Sequence, residues 1–118
     1  MNLYGASGHC KVVIEIIENN GEEVTAIYDD NKDVSKILDY KVSSFTEEVE
    51  GAFIITIGDN QLRKKIANKL NLAFVNAIHA KAMVSKYSSI GEGTTIMAGA
   101  IVSCDVKIGR HAIINHNA

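Results

Sequence analysis

Hydrophobic positions along this chain change their spacing once. Over the first two thirds they form short runs and helical stripes. Asn2-Leu3-Tyr4 reads as a short strand, and Val12, Val13, Ile16 and Ile17 then make an apolar face at helical spacing, with Glu15 and Glu18 among the polar positions. Asn19-Asn20-Gly21 stops that helix, because Asn and Gly tolerate the left-handed conformation. Val24 to Tyr28 predicts the next strand. Residues 31–50 are polar, with a short strand around Val42. Phe53-Ile54-Ile55-Thr56-Ile57 is a continuous apolar run, the pattern of a strand covered on both faces. Gly58-Asp59-Asn60 opens a second helix through Leu70, with Asp59 placed to cap it, and Ala73 to Ile78 closes the unit as a strand. Strand and helix alternating in this order predict a small parallel sheet with right-handed crossovers, a Rossmann-like α/β half-domain.

After His79-Ala80 the spacing becomes six. Val84, Ile90, Ile96, Val102, Ile108 and Ile114 recur without a miss, and two residues before each stands Ala82, Ser88, Thr94, Ala100, Val106 or Ala112. A branched residue every sixth position, with a small or β-branched one ahead of it, is the hexapeptide pattern of a β-helix. The branched side chain points inward and stacks on its equivalent one coil away. The chain thus divides into residues 1–79, an α/β domain, and residues 80–118, the first coils of a parallel β-helix. Ile114 is the last beat before Ala118, so the helix is expected to be incomplete.

Composition narrows the function classes. Apolar residues make up 47% of the chain, charged residues 22%, and the formal net charge is −2. There is no polybasic surface to suggest nucleic acid or an anionic membrane as partner. No apolar run approaches the ~20 residues that span a bilayer, and residues 1–8 lack the pattern of a signal peptide. Cys10 and Cys104 fall in segments of different architecture and read as two reduced thiols of a cytoplasmic protein.

Ligands of a parallel sheet bind beyond the C-terminal ends of its strands. Gly5-Ala6-Ser7-Gly8-His9 lies there, joining the first strand to the first helix. Its glycines admit close approach to the backbone, and the helix start offers N–H groups to a phosphate. Gly58-Asp59-Asn60 occupies the same place after the third strand. Asp29 and Asp30, after the second, can accept hydrogen bonds from a ribose or a base. Each element also has a plain structural reading, as a tight connection, a helix cap or a solvated loop. Together on one edge they favour a nucleotide-type ligand. The first turn departs from the longer G-x-G-x-x-G fingerprint, which argues against an ordinary NAD-linked dehydrogenase.

Gly5-Ala6-Ser7-Gly8-His9-Cys10-Lys11-Val12-Val13, Ile27-Tyr28-Asp29-Asp30, Ile57-Gly58-Asp59-Asn60 and the hexads together resemble a known family. It is the sugar O-/N-acyltransferases of the sialic acid O-acetyltransferase type, which includes bacterial acetyltransferases of UDP- and GDP-linked amino sugars. The resemblance implies that the N-terminal domain holds a sugar or nucleotide-sugar substrate. Gly5, Ala6, Ser7, Gly8 and His9 would lie toward phosphate and sugar, Asp29 and Asp30 toward base or ribose, with Gly58, Asp59 and Asn60 completing the pocket. It further implies a left-handed β-helix, a homotrimer, and acetyl-CoA as co-substrate in the cleft between neighbouring coils. Acetyl transfer in such enzymes uses a histidine general base. The resemblance places that histidine beyond Ala118, so no catalytic residue is assigned within the chain, which reads as the N-terminal part of an enzyme.

Two further readings stand beside this one. One is a nucleotide-sugar-binding module without catalysis of its own, which is what these 118 residues would be in isolation. A metal-dependent β-helix enzyme would use His111 and His116 as ligands. However, His111 follows its hexad residue Ile108 by three positions and His116 follows Ile114 by two, so the pair is out of phase and no metal ligands are assigned. His79, between the two parts, reads as structural.

Overall fold

The computed structural model describes residues 1–118. Six strands form the first sheet: β1 (Asn2–Tyr4), β2 (Ala26–Tyr28), β3 (Lys36–Ile37), β4 (Tyr40–Ser43), β5 (Ala52–Ile55) and β6 (Ala73–Phe74), in the order β3-β4-β2-β1-β5-β6. All neighbours are parallel except β3 and β4, which pair as a hairpin. The strand expected around Val42 is β4. The hairpin turns at Leu38, whose φ of 49° places it in the left-handed region.

Alternation along the strands gives the sheet two apolar faces. Leu3, Ile27 and Ile54 face helix α1 (Gly8–Asn19), while Tyr4, Phe53 and Ile55 face helix α2 (Asn60–Lys69). The helices are held differently. Helix α1 has no side-chain cap, but buries Cys10, Val13, Ile14, Ile16 and Ile17. Each buried Val or Ile contributes about 1.5–3 kcal/mol against about 1 kcal/mol for a cap, so burial decides its place. Helix α2 is mostly polar and packs on the sheet through Ile66 and Ala67. Asp59 caps it by accepting from the Leu62 N–H at 2.8 Å.

The strand predicted over Ala73 to Ile78 is divided between two sheets. Val75 N–H donates to Phe53 O, whereas Ala77 N–H donates to Thr94 O. The backbone therefore changes partners within two residues, and β7 (Ala77–Ile78) begins the coil. It continues through β8 (Met83–Val84), β9 (Ser89–Ile90), β10 (Thr95–Ile96), β11 (Ile101–Val102), β12 (Lys107–Ile108) and β13 (Ile113–Ile114). Each pairs in parallel with the strand three ahead: β7 with β10 and β10 with β13, β8 with β11, β9 with β12. Ile78, Val84, Ile90, Ile96, Val102, Ile108 and Ile114 pack together inside, so the sixfold beat starts one repeat earlier than Val84.

The corners keep the same beat. Gly93, Gly99, Asp105, His111 and Asn117 all have positive φ, between 54° and 77°. Asp, Asn and His are among the non-glycine residues that tolerate that region best. Helix α1 sits between sheet and coil, since Ala77 and Met97 share its core with Leu3 and Ile54. At its C-terminal end, Asn20 donates to Ile78 O at 2.7 Å and accepts from Ala80 N–H at 2.8 Å. No helix is long and apolar enough to cross a membrane.

Candidate functional site

The first glycine turn leaves the C-terminal end of β1, next to that of β5. Gly5 is buried there with φ 117°, and a Cβ on it would stand 2.5 Å from Ile57 Cγ1. Its N–H donates to Tyr28 O at 2.7 Å and its carbonyl accepts the Thr56 hydroxyl at 2.5 Å. The turn is thereby tied to both neighbouring strands. Ser7 is the extended residue before α1, exposed, with its hydroxyl making no cap bond. The N–H groups of Gly8 and His9 have no partner in the chain, while Cys10 N–H turns back to Ser7 O. Nothing lies within 4 Å of where a Gly8 Cβ would be. Free donors, an open approach and a helix N-terminus together suit an anion.

His9 joins the first turn to the second. Its Cβ lies 3.7 Å from where a Cβ on Gly58 would stand, an ordinary contact distance, so His9 packs beside the β5–α2 turn. Its Nε2 is buried without a partner. Burial, and after it the Arg63 charge, push the His9 pKa below its usual value and favour the neutral ring. Asp59 is committed to capping α2, and the Asn60 side-chain oxygen accepts from Arg63 Nη2 at 2.6 Å.

The acidic pair is divided between two tasks. Asp29 accepts from Ala6 N–H at 2.7 Å through one oxygen and from Asn31 N–H at 2.8 Å through the other, so it staples the glycine turn to the next loop. Asp30 is exposed and accepts the Tyr4 hydroxyl at 2.6 Å through one oxygen. Burial, reinforced by Asp30, pushes the Tyr4 hydroxyl above its usual pKa and keeps it a donor. The structure thus gathers Gly5, Ala6, Ser7, Gly8, His9, Asp29 and Gly58 around one edge, with Asp59 and Asn60 at the start of α2. Asp30 is linked to that edge through Tyr4.

Arg63 escaped the sequence reading and is central to the geometry. It is buried, and donates to Ile57 O, Gly58 O, Asn60 Oδ1 and His111 O. The available signal was a cation near the start of a helix, where the helix dipole disfavours positive charge. A cleft of about 540 Å³ opens beside it between α2 and the last coil, lined by Asn60, Arg63, Lys64, Asn68, Arg110 and His111. Asn60 alone of the predicted residues reaches it.

The other histidines are held by the coil. His79 is buried, accepts from Lys81 N–H at 2.9 Å and meets the Asn19 amide at 3.2 Å. His111 occupies a left-handed corner, stacks on the Gly93 corner and packs edge-on to Phe74 with ring centroids 4.5 Å apart. The corner conformation turns it back against the α/β part. His116 is exposed.

Comparisons with known proteins agree with this architecture. The family described as the PglD N-terminal domain matches residues 1–70, and the bacterial transferase hexapeptide family (six repeats) matches residues 87–118. The chain is 37% identical to the UDP-N-acetylbacillosamine N-acetyltransferase of Bacillus subtilis over 81% of its own length and 50% of that protein's. It is 34% identical to the uncharacterized protein L142 of Acanthamoeba polyphaga mimivirus, covering 95% of this chain and 24% of that one. PerB from Caulobacter crescentus, solved in complex with CoA and GDP-perosamine, superposes with a TM-score of 0.87 at 37% identity, over 98% of this chain and 59% of PerB. The acetyltransferase domain of PglB from Neisseria gonorrhoeae, solved with acetyl coenzyme A, gives 0.82 at 25% identity, over 98% of this chain and 64% of that domain. The chain spans half or less of the curated relatives it matches, and under two thirds of these solved chains.

Proposed function

We propose, from the premise that this chain belongs to the PglD N-terminal domain family, that it is the substrate-holding part of an acetyl-CoA-dependent acetyltransferase acting on a nucleotide-linked amino sugar. The observation that carries the reading is the adjacency of the two glycine turns at the ends of β1 and β5, with His9 packed over Gly58 and free N–H groups at the start of α1. The α/β part acts as a Rossmann-like nucleotide-sugar domain, and the coil that begins at Ala77 as part of a left-handed β-helix.

In this reading the Gly8 and His9 N–H groups and the Ser7 hydroxyl take the diphosphate. Gly5 and Ala6 shape the turn, and Asp29 holds it through Ala6 N–H. The Asp30 oxygen left free by Tyr4 is the acceptor for ribose or base. Gly58, Asp59 and Asn60 form the far wall. Acetyl-CoA supplies the acyl group. The sugar amine attacks the thioester carbonyl, a C–N bond forms as the C–S bond breaks, and the amine proton passes to a general base while the CoA thiolate leaves. None of the four histidines in residues 1–118 is assigned that base. Nitrogen is preferred over oxygen as acceptor because the Bacillus subtilis relative is an N-acetyltransferase and PerB was solved with an amino-sugar nucleotide.

A homotrimer is supported by the exposed apolar side chains of Met83 and Ile101, side by side on β8 and β11. We place such an enzyme in the cytoplasm, in surface-glycan or sialic acid biosynthesis, by extension of the nucleotide-sugar reading.

A thermal-shift titration with UDP, GDP, CMP, NAD and acetyl-CoA tests the reading. A ligand of the native state at a hundredfold excess over its dissociation constant adds about 2.7 kcal/mol. A shift with UDP or GDP supports a nucleotide-sugar pocket. A shift with NAD alone would return the Gly5–His9 turn to dinucleotide binding and sink the proposal. Nucleotide binding without an acetyl-CoA shift assigns residues 1–118 the sugar half of the site.

A further inference from the structure

Arg63 is the only arginine or lysine withdrawn from solvent, with 6% of its surface exposed. Two costs attend that position. The guanidinium loses hydration, and it sits near the N-terminus of α2, where the helix dipole opposes a cation. No carboxylate forms an ion pair with it, since the chain's one salt bridge joins Arg110 to Glu92. Four neutral acceptors compensate instead. Nη1 donates to Ile57 O at 3.0 Å and Gly58 O at 3.1 Å, Nη2 to Asn60 Oδ1 at 2.6 Å, and Nε to His111 O at 2.8 Å. Three of these belong to the β5–α2 connection and the fourth to a coil corner.

The fork of the guanidinium matters here. Its donors leave in fixed, divergent directions, whereas a lysine ammonium is a single point of charge on a flexible stem. Only the fork reaches both segments at once. The His111 ring also packs on the α/β part through Phe74, which stands on β6 and not on that connection. The turn that Arg63 holds is also the one on which His9 rests.

We propose that Arg63 is a positioning residue that ties the Gly58–Asn60 turn to the His111 corner of the coil, so that occupation of the nucleotide site is felt by the coil and the two parts of the molecule stay in register. This rests on the nucleotide-binding reading of the glycine turns. It adds that the site and the acyl-transfer scaffold are mechanically linked through one side chain.

Hydrogen exchange on the whole chain, with and without UDP or GDP, tests it in the wild type, Arg63→Met and Arg63→Lys. Without nucleotide, Arg63→Met should lower protection of residues 58–63 and 111–113 together, by roughly tenfold, while the middle of α1 is unchanged. With nucleotide, the wild type should gain protection at both segments and Arg63→Met only at the first. Arg63→Lys should behave like the methionine variant at the coil corner, and it makes the same comparison should Arg63→Met fail to fold. Loosening of residues 58–63 alone, or a coil response to nucleotide that survives in both variants, would overturn the tie. A wild type that responds to neither nucleotide sinks the nucleotide reading, and the comparison without ligand then decides whether the tie exists.

Discussion

The Thr56 hydroxyl donates to the Gly5 carbonyl at 2.5 Å, with Thr56 itself completely buried. These two residues end neighbouring strands, and the bond locks the two glycine turns to each other before any ligand arrives. Thr56→Val keeps the shape and leaves the Gly5 carbonyl without this donor. An unsatisfied buried acceptor costs about 1–3 kcal/mol, so the urea midpoint should fall accordingly. Nucleotide affinity should weaken as well, since the turns lose their common anchor.

Gly5 and Gly8 separate backbone demand from ligand access. Gly5→Ala places a Cβ against Ile57 at a φ of 117°, and should lower the melting temperature clearly, in line with strain of about 1–3 kcal/mol. Gly8→Ala meets nothing within 4 Å and should leave the melting temperature almost unchanged. If Gly8 borders the phosphate, the same alanine should still reduce nucleotide binding. A Gly8→Ala chain that binds as well as wild type would move the phosphate away from this turn.

Much of this arrangement was legible from side-chain pattern, and the parts that were not depend on backbone partners. The sixfold beat fixed which face of each coil strand turns inward, because Ile96 and its equivalents have no other way to leave water. The stop at Asn19-Asn20-Gly21 and the Asp59 cap were readable from local preferences alone. The exchange of partners between Val75 and Ala77 left no such mark, since apolar residues suit both sheets. Asp29 was readable as an acceptor but not as one facing Ala6 N–H, a contact made across 23 residues of sequence. Arg63 was missed for the same reason, its partners being mostly carbonyls that every residue carries.

The two thiols should differ sharply in reactivity. Cys10 is fully buried in the α1 core, and burial pushes its pKa up to about 11, so the nucleophilic thiolate is scarce at neutral pH. Cys104 is exposed. A thiol reagent should label Cys104 alone in the native chain and both cysteines in denaturant. Rapid native labelling of Cys10 would show that α1 opens from the sheet.

Acid should weaken the fold through His9 and His111. Burial is the first cause of a lowered pKa in both, with Arg63 adding for His9 and Arg110 for His111. Because the folded values lie below the ordinary 6.5, the unfolded chain binds more protons as pH falls. Their contribution is fully present above 6.5 and is lost as pH drops through the folded values. The melting temperature should therefore fall between about pH 7.5 and about pH 5.5. His111→Asn, which keeps a residue suited to the left-handed corner, should reduce that fall.

Ile96 and Ile101 test the coil from inside and outside. Ile96 has none of its surface exposed, and Ile96→Ala should cost about 2–5 kcal/mol because the stacked coils leave little room to close the cavity. Ile101 lies on β11, the next strand along the chain and part of a different sheet, with 61% of its surface exposed, and Ile101→Ala should change the stability of an isolated chain by no more than about 0.5 kcal/mol. Sedimentation supplies the second reading of the same variant. If Ile101 and Met83 meet neighbouring copies in a trimer, Ile101→Ala should shift the association equilibrium toward monomer while leaving the unfolding of the monomer as it was. An unchanged equilibrium would place the contact between copies on another face of the coil.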